Sequence, residues 1–302
     1  MEMDLSVNLG GIRMKNPVTV ASGTFGYGQE YAELMDIARL GAVTVKGIRL
    51  ERWGGNPLPR HVEVPGGMVN AIGLQGPGVD GFVEEDMPFL RRAGVPVIVN
   101  IWGTTIQEYA EVAARLDGVD GVSGLELNVS CPNVKAGGAA FGHDCKTLES
   151  LVASVRARTR LPLIPKLAPN VADVRPFVQA AEAGGADAIS LINTIPAMVI
   201  DIEKRRPVLG NRTGGLSGAG IHPVAVKLVY DAASVSQVPI LAMGGIFSAK
   251  DAIEFLLAGA TAVAVGTATF INPVCAMEVV DGIGAYMRRK GFARISDIRM
   301  AE

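Results

Sequence analysis

Cysteine is scarce in this chain. The 302 residues hold only Cys131, Cys145 and Cys275, and no two of them stand in C-x-x-C spacing. That rules out a disulfide framework and leaves no cradle for zinc or an iron–sulfur cluster. Histidine is equally sparse: His61, His143 and His222 lie far apart and show no metal-ligand spacing, so no metal is expected. Charged residues make up 19%, the net charge is −2, and no run of lysine or arginine occurs. Nucleic acid and anionic membrane surfaces are therefore poor partners. The opening residues Met1-Glu2-Met3-Asp4 lack the basic-then-apolar order of a signal peptide, which points to a cytoplasmic, reducing setting. The stretch from Phe255 to Met277 carries no charge, but Gly259, Gly266, Thr267 and Asn272-Pro273 dilute it. It reads as a buried strand flanked by helix ends, not as a membrane span.

Apolar residues are plentiful, at 49%, with 37 glycines. The composition suits a large core of buried strands joined by tight turns. Alternation in Leu5, Val7 and Leu9, then Gly10-Gly11, then Ile12 and Met14 predicts a small N-terminal β-hairpin. After it, one unit recurs. Strand-like runs fall at Pro17–Ser22, Ala42–Val45, Pro96–Ile101, Leu125–Val129, Leu161–Leu167, Ala186–Ile192, Pro239–Met243 and Thr261–Val265. Helical segments at Glu30–Leu40, Thr105–Leu116, Leu148–Thr159, Val171–Ala183, Pro223–Ser236 and Ala249–Ala258 separate most of them. Eight strands alternating with helices predict a single α/β domain over 1–302, a (β/α)₈ TIM barrel with long βα-loop insertions. Those insertions are Gly47–Gly81, with a second hairpin pattern around Arg60–Gly67, and Ile195–Ile221, which reads as mobile.

The strand tips carry the chemistry. Lys46, Asn100, Asn128, Lys166 and Asn193-Thr194 close successive apolar runs, then Gly244-Gly245 and Gly266-Thr267. In a barrel these tips share one bowl. Two lysines and several amides suit an anionic, planar, hydrogen-bonding ligand. The two glycine-bearing tips, with their free backbone N–H groups, suit a phosphate. Cys131 sits in Asn128-Val-Ser-Cys-Pro-Asn133, and spacing alone leaves a proton-abstracting base and a nucleophile both open.

Asn128-Val-Ser-Cys-Pro-Asn-Val-Lys-Ala-Gly-Gly138 and Asn70-Ala-Ile-Gly-Leu-Gln75 resemble the class 1 dihydroorotate dehydrogenases. The segments 16–26, 214–218, 243–246 and 265–268 agree with that family and follow its order over almost the whole chain. Gly76 stands where the family usually has asparagine, and Phe141–Cys145 is an unusual variant. The resemblance is to type B of the class. It implies FMN on this chain and a partner electron-transfer subunit with FAD and a 2Fe-2S cluster, NAD being the final acceptor. A homodimer core within a heterotetramer goes with that assembly. The resemblance assigns FMN contacts to Ser22, Lys46, Gly47, Asn100, Asn128, Lys166, Ile192, Gly218, Gly244, Gly245, Gly266 and Thr267. It assigns substrate contacts to Lys46, Asn70, Ala71, Ile72, Gly73, Leu74, Asn128, Asn133, Asn193 and Thr194. Cys131 is then the base that takes the C5 proton of dihydroorotate, with Lys46 beside it. The nearest alternatives are a fumarate-using type A enzyme, a dihydropyrimidine dehydrogenase-like FMN reductase and a tRNA dihydrouridine synthase. The last of these would need a more basic surface. A flavin-free phosphate-binding barrel would leave Cys131 among its asparagines unexplained.

Overall fold

The structure, a computed structural model, describes residues 3–129 and 141–301. Cys131 and Asn133 lie outside the described residues. The chain opens on the expected antiparallel hairpin, β1 (Val7–Leu9) and β2 (Ile12–Met14), with Val7 opposite Met14. The first two barrel strands are β3 (Val18–Val20) and β4 (Val43–Ile48). A second hairpin, β5 (His61–Val64) and β6 (Gly67–Asn70), fills the first long insertion. Four more barrel strands follow: β7 (Val97–Ile101), β8 (Val122–Leu127), β9 (Leu163–Pro165) and β10 (Ile189–Leu191). The second insertion contributes β11 (Ile195–Ala197), β12 (Ile200–Asp201), β13 (Arg206–Pro207) and β14 (Gly214–Ser217). Strands β15 (Ile240–Met243) and β16 (Ala262–Val265) complete the set.

The eight parallel strands form two arcs, β4-β7-β8-β9 and β10-β15-β16-β3. One seam is bridged by Lys166 against Ser190, the other by the hydroxyls of Thr19 and Thr44 at 3.2 Å. The barrel strands are buried on both faces and rich in valine and isoleucine, side chains that fit a pleated surface. The N-terminal hairpin plugs the barrel's lower end: Leu9, Ile12 and Met14 pack with Ile98, Ile164 and Leu241. Gly124 lets the hairpin approach closely there: a Cβ on it would stand 2.6 Å from Ile12 Cδ1, which would have to move aside.

Outside the strands lie α1 (Met87–Ala93), α2 (Ile106–Leu116), α3 (Cys145–Arg156), α4 (Arg175–Ala183), α5 (His222–Ala233), α6 (Ala249–Leu257) and α7 (Cys275–Lys290). Helix α2 starts where the Thr105 hydroxyl accepts from the Glu108 N–H, and α3 where Asp144 accepts from the Thr147 N–H. The helix expected over Glu30–Leu40 is absent as one piece. A short helical turn, Gln29–Ala32, is followed by a 3₁₀ turn, Ile37–Arg39. The reason is local: the Asp36 side chain accepts from the Ala38 N–H, so the chain restarts there and sinks Ile37 and Leu40 into the core.

The 195–221 connection, expected as a mobile loop, is strand-bearing. β11 and β14 join β6 and β5 in one antiparallel sheet, order β11-β14-β6-β5. One face of that sheet holds Val62, Val64, Val69, Leu209 and Leu216 in a small core of their own. The alternate residues His61, Glu63, Met68, Asn70 and Ser217 face a cavity. The sheet is thus a roof over the strand tips. No helix among the described residues is long and apolar enough to cross a membrane.

Candidate active site

The cavity beneath this roof measures about 500 Å³. That is a size suited to a cofactor-scale ligand. Lys46, inside β4, which runs two residues beyond it instead of ending there as expected, lines it from one side; Lys166, just past β9, lines it from below. Lys46 is half-buried, and that burial, with Arg60 nearby, holds its ammonium below the usual lysine range against the opposing pull of Glu30. Lys166 is anchored at its backbone, where its N–H donates to the Leu127 carbonyl at 2.9 Å. Its ammonium stands 3.7 Å from a carboxylate oxygen of Glu126.

The amides interlock. Asn193 Nδ2 donates to Asn128 Oδ1 at 3.1 Å, and the Thr194 N–H donates to Asn193 Oδ1 at 2.8 Å. The Asn128 carbonyl accepts from the Tyr109 hydroxyl at 2.7 Å. Asn70 Nδ2 reaches the Gly215 carbonyl at 3.4 Å, linking β6 to β14 over the cavity. Amides already bonded to one another hold fixed directions, so their remaining groups are preorganised for a ligand.

The opposite wall is built from glycine. Gly218, Gly244, Gly245 and Gly266 line the cavity with Thr267, whose hydroxyl donates to Ser217 Oγ at 2.8 Å. Gly245 has φ +71°, and a Cβ on it would stand 2.7 Å from His222 Cβ and 2.9 Å from the Gly218 carbonyl. Only glycine fits this turn, and the bare backbone it leaves is what a phosphate needs. Beneath that turn, His222 Nδ1 lies 3.0 Å from the Gly244 carbonyl and Nε2 lies 3.1 Å from Glu254.

Of the residues singled out from sequence, Ser22, Lys46, Gly47, Asn70, Ile72, Gly73, Leu74, Asn128, Lys166, Ile192, Asn193, Thr194, Gly218, Gly244, Gly245, Gly266 and Thr267 meet on this one cavity. Two do not. Ala71 is fully buried in the roof's small core, because β6 alternates and turns it away from the ligand side. Asn100, 1% exposed, sits one layer below the wall; its Oδ1 would lie 3.0 Å from a Cβ on Gly47. That Oδ1 has no hydrogen-bond partner among the described residues. Sequence reasoning passed over His61, Glu63, Met68, Ser217 and Phe270, all on the wall. The alternation of Arg60–Val64 was the available signal, since with Val62 and Val64 inward, 61 and 63 must face the other way.

A planar, phosphorylated cofactor such as FMN fits these residues. The glycine wall suits its phosphate, and the amides and Lys166 suit a flat ring rich in carbonyls. The remaining room and Lys46 suit an anionic substrate.

Comparison with known proteins agrees. Residues 4–287 match the family profile described as dihydroorotate dehydrogenase. The chain is 51% identical over 298 residues to a protein of Trichlorobacter lovleyi named dihydroorotate dehydrogenase B (NAD(+)), catalytic subunit, covering 99% of this chain and 98% of that one. A protein of the same name from Alkaliphilus metalliredigens is 53% identical, with the same coverage. Among solved structures, the dihydroorotate dehydrogenase of Eimeria tenella in complex with ferulenol is similar, with a TM-score of 0.81 at 24% identity over 99% of this chain and 89% of that one. At that identity the likeness speaks for the barrel fold.

Proposed function

This chain belongs to the dihydroorotate dehydrogenase family, and on that footing we propose that it oxidises dihydroorotate to orotate in pyrimidine (UMP) biosynthesis, as the FMN-carrying catalytic subunit of an NAD-linked enzyme. One observation carries the reading: Lys46, Lys166, Asn70 and the bonded pair Asn128 and Asn193 converge on one cavity whose far wall is the Gly244-Gly245 turn.

Bound FMN supplies the two-electron acceptor that no side chain offers. The chain's own residues divide the remaining work. Gly218, Gly244, Gly245, Gly266 and Thr267 hold the phosphate end, while Ser22, Gly47, Asn128, Lys166 and Ile192 surround the ring, with Asn100 behind Gly47 one layer below. Lys46, Asn70, Ile72, Gly73, Leu74, Asn128, Asn133, Asn193 and Thr194 hold the carboxylate and amide groups of dihydroorotate. Cys131 removes the proton at C5, the assignment that the Asn128–Gly138 motif supports. The roof strands exclude water from the bowl, which strengthens every charge interaction inside it.

Electrons must then leave. The sequence has no G-x-G-x-x-G after a strand and no cysteine cluster. A partner subunit with FAD and a 2Fe-2S cluster, docked near the flavin, is therefore the route to NAD. The assembly is a cytoplasmic heterotetramer around a homodimer of this chain. The test is direct: the purified chain, given dihydroorotate, should reduce artificial dyes and hardly reduce NAD, and adding the partner should restore NAD reduction. Efficient NAD reduction by this chain alone would refute the partner route, and efficient fumarate reduction would place it in type A.

A further inference from the structure

One layer below the cavity lies a carboxylate with no assigned role. Glu126, on β8, is 0% exposed and points into the barrel. Asn100 Nδ2 donates to its Oε2 at 2.6 Å, and the Ser190 hydroxyl donates to its Oε1 at 3.0 Å. The Lys166 ammonium completes the set at 3.7 Å. Side chains from β7, β10 and the tip of β9 are thus tied to one residue of β8.

Such a group is costly to bury, and a well-packed apolar side chain is often the more stable choice. The neighbouring interior takes that choice, with Ile98, Ile164 and Leu241. Two consequences of the acid reach the cavity. A carboxylate only accepts, so Asn100 must turn its Nδ2 inward and leave Oδ1 toward Gly47. Its negative charge also offsets the cation that Lys166 brings to the cavity wall.

We propose that Glu126 is a positioning residue for the cofactor: it holds Lys166 and orients Asn100, and in opposing the lysine's charge it sets the reduction potential of the bound flavin. This rests on the FMN reading above. Electrons arriving on the cofactor bring negative charge, which a nearby cation favours and a nearby anion opposes. Removing the anion while keeping the cation should therefore raise the potential.

The experiment compares wild type, Glu126→Gln, Lys166→Met and the double variant, each loaded with FMN. Potentials are measured by anaerobic titration against reference dyes, and melting temperatures alongside. Glutamine keeps the volume, accepts from Asn100 and still bonds Ser190, so Glu126→Gln should bind FMN and show a higher potential. Lys166→Met should show a lower potential and melt roughly 5–10 °C lower, because it strands a buried carboxylate. The double variant should regain most of that melting temperature. An unchanged potential in Glu126→Gln would mean that the acid only packs, and would overturn the proposal. If Glu126→Gln does not fold, a double variant that melts no higher than Lys166→Met overturns it instead. Failure of the wild-type chain to bind FMN would refute the cofactor reading, a separate outcome.

Discussion

The hydroxyl of Tyr109, on α2, donates a 2.7 Å hydrogen bond to the main-chain carbonyl of Asn128, one residue past β8. Both residues are buried, so an outer helix is pinned to the tip that carries the Asn128 amide, itself bonded to Asn193 beyond β10. Tyr109→Phe takes away that carbonyl's partner among the described residues, at a cost of about 1–3 kcal/mol. Thermal melting should show the loss, and orotate affinity should fall with it. A variant that melts and binds as wild type does would mean that Asn128 is held by its other bonds.

Gly245→Val should abolish FMN retention. The added Cβ meets His222 and the Gly218 carbonyl, and φ of +71° is itself unfavourable for a β-branched residue. Absorbance of the purified variant checks this; a full complement of flavin would contradict the placing of the phosphate at this turn.

Removing the two lysines should have separable effects. Lys46→Ala is expected to weaken orotate binding about 10- to 100-fold, the loss of a charged hydrogen bond, and to slow flavin reduction. Lys166→Ala should act mainly through the flavin, lowering its potential. Because Lys46 titrates below the ordinary lysine value of 10.5, orotate affinity should decline on the alkaline side earlier than an exposed lysine would allow. Titration of orotate across pH checks both points, and equal affinities in wild type and both variants would contradict the division.

Much of this was legible in sequence because a buried parallel strand is written as an apolar run, which makes the polar residue ending it conspicuous. Lys46, Asn128 and Lys166 stood out that way. Glu126 did not: within Leu125-Glu-Leu127 it looks like the outward member of an alternating strand, and only the closed barrel turns that position inward. Ala71 lies off the cavity for the converse reason, since a motif names consecutive residues while a strand presents alternate ones. The Glu30–Leu40 break was hidden because Asp36 caps a new turn in the middle of an apolar periodicity.

Asp86 offers a test of stability away from the cavity. Burial, then Glu85 and Glu30, pushes its carboxyl up from 3.8 to about 6. Between those values the folded chain keeps a proton that the unfolded chain has lost, so stability falls as pH rises through the window. The full penalty applies above it. Asp86→Asn should melt higher than wild type at neutral pH, by on the order of 1 kcal/mol after solvent screening, and equally at the acid end. A gain that does not vary with pH would assign the effect to packing.

The most direct test of the central claim is anaerobic rapid mixing of the FMN-loaded chain with dihydroorotate, following the flavin's visible absorbance in wild type and Cys131→Ala. The account predicts rapid bleaching in wild type, and in the alanine variant bleaching slower by ~10²–10⁴-fold with orotate still bound. Wild-type flavin that stays oxidised, or an alanine variant that bleaches at the wild-type rate, would contradict it.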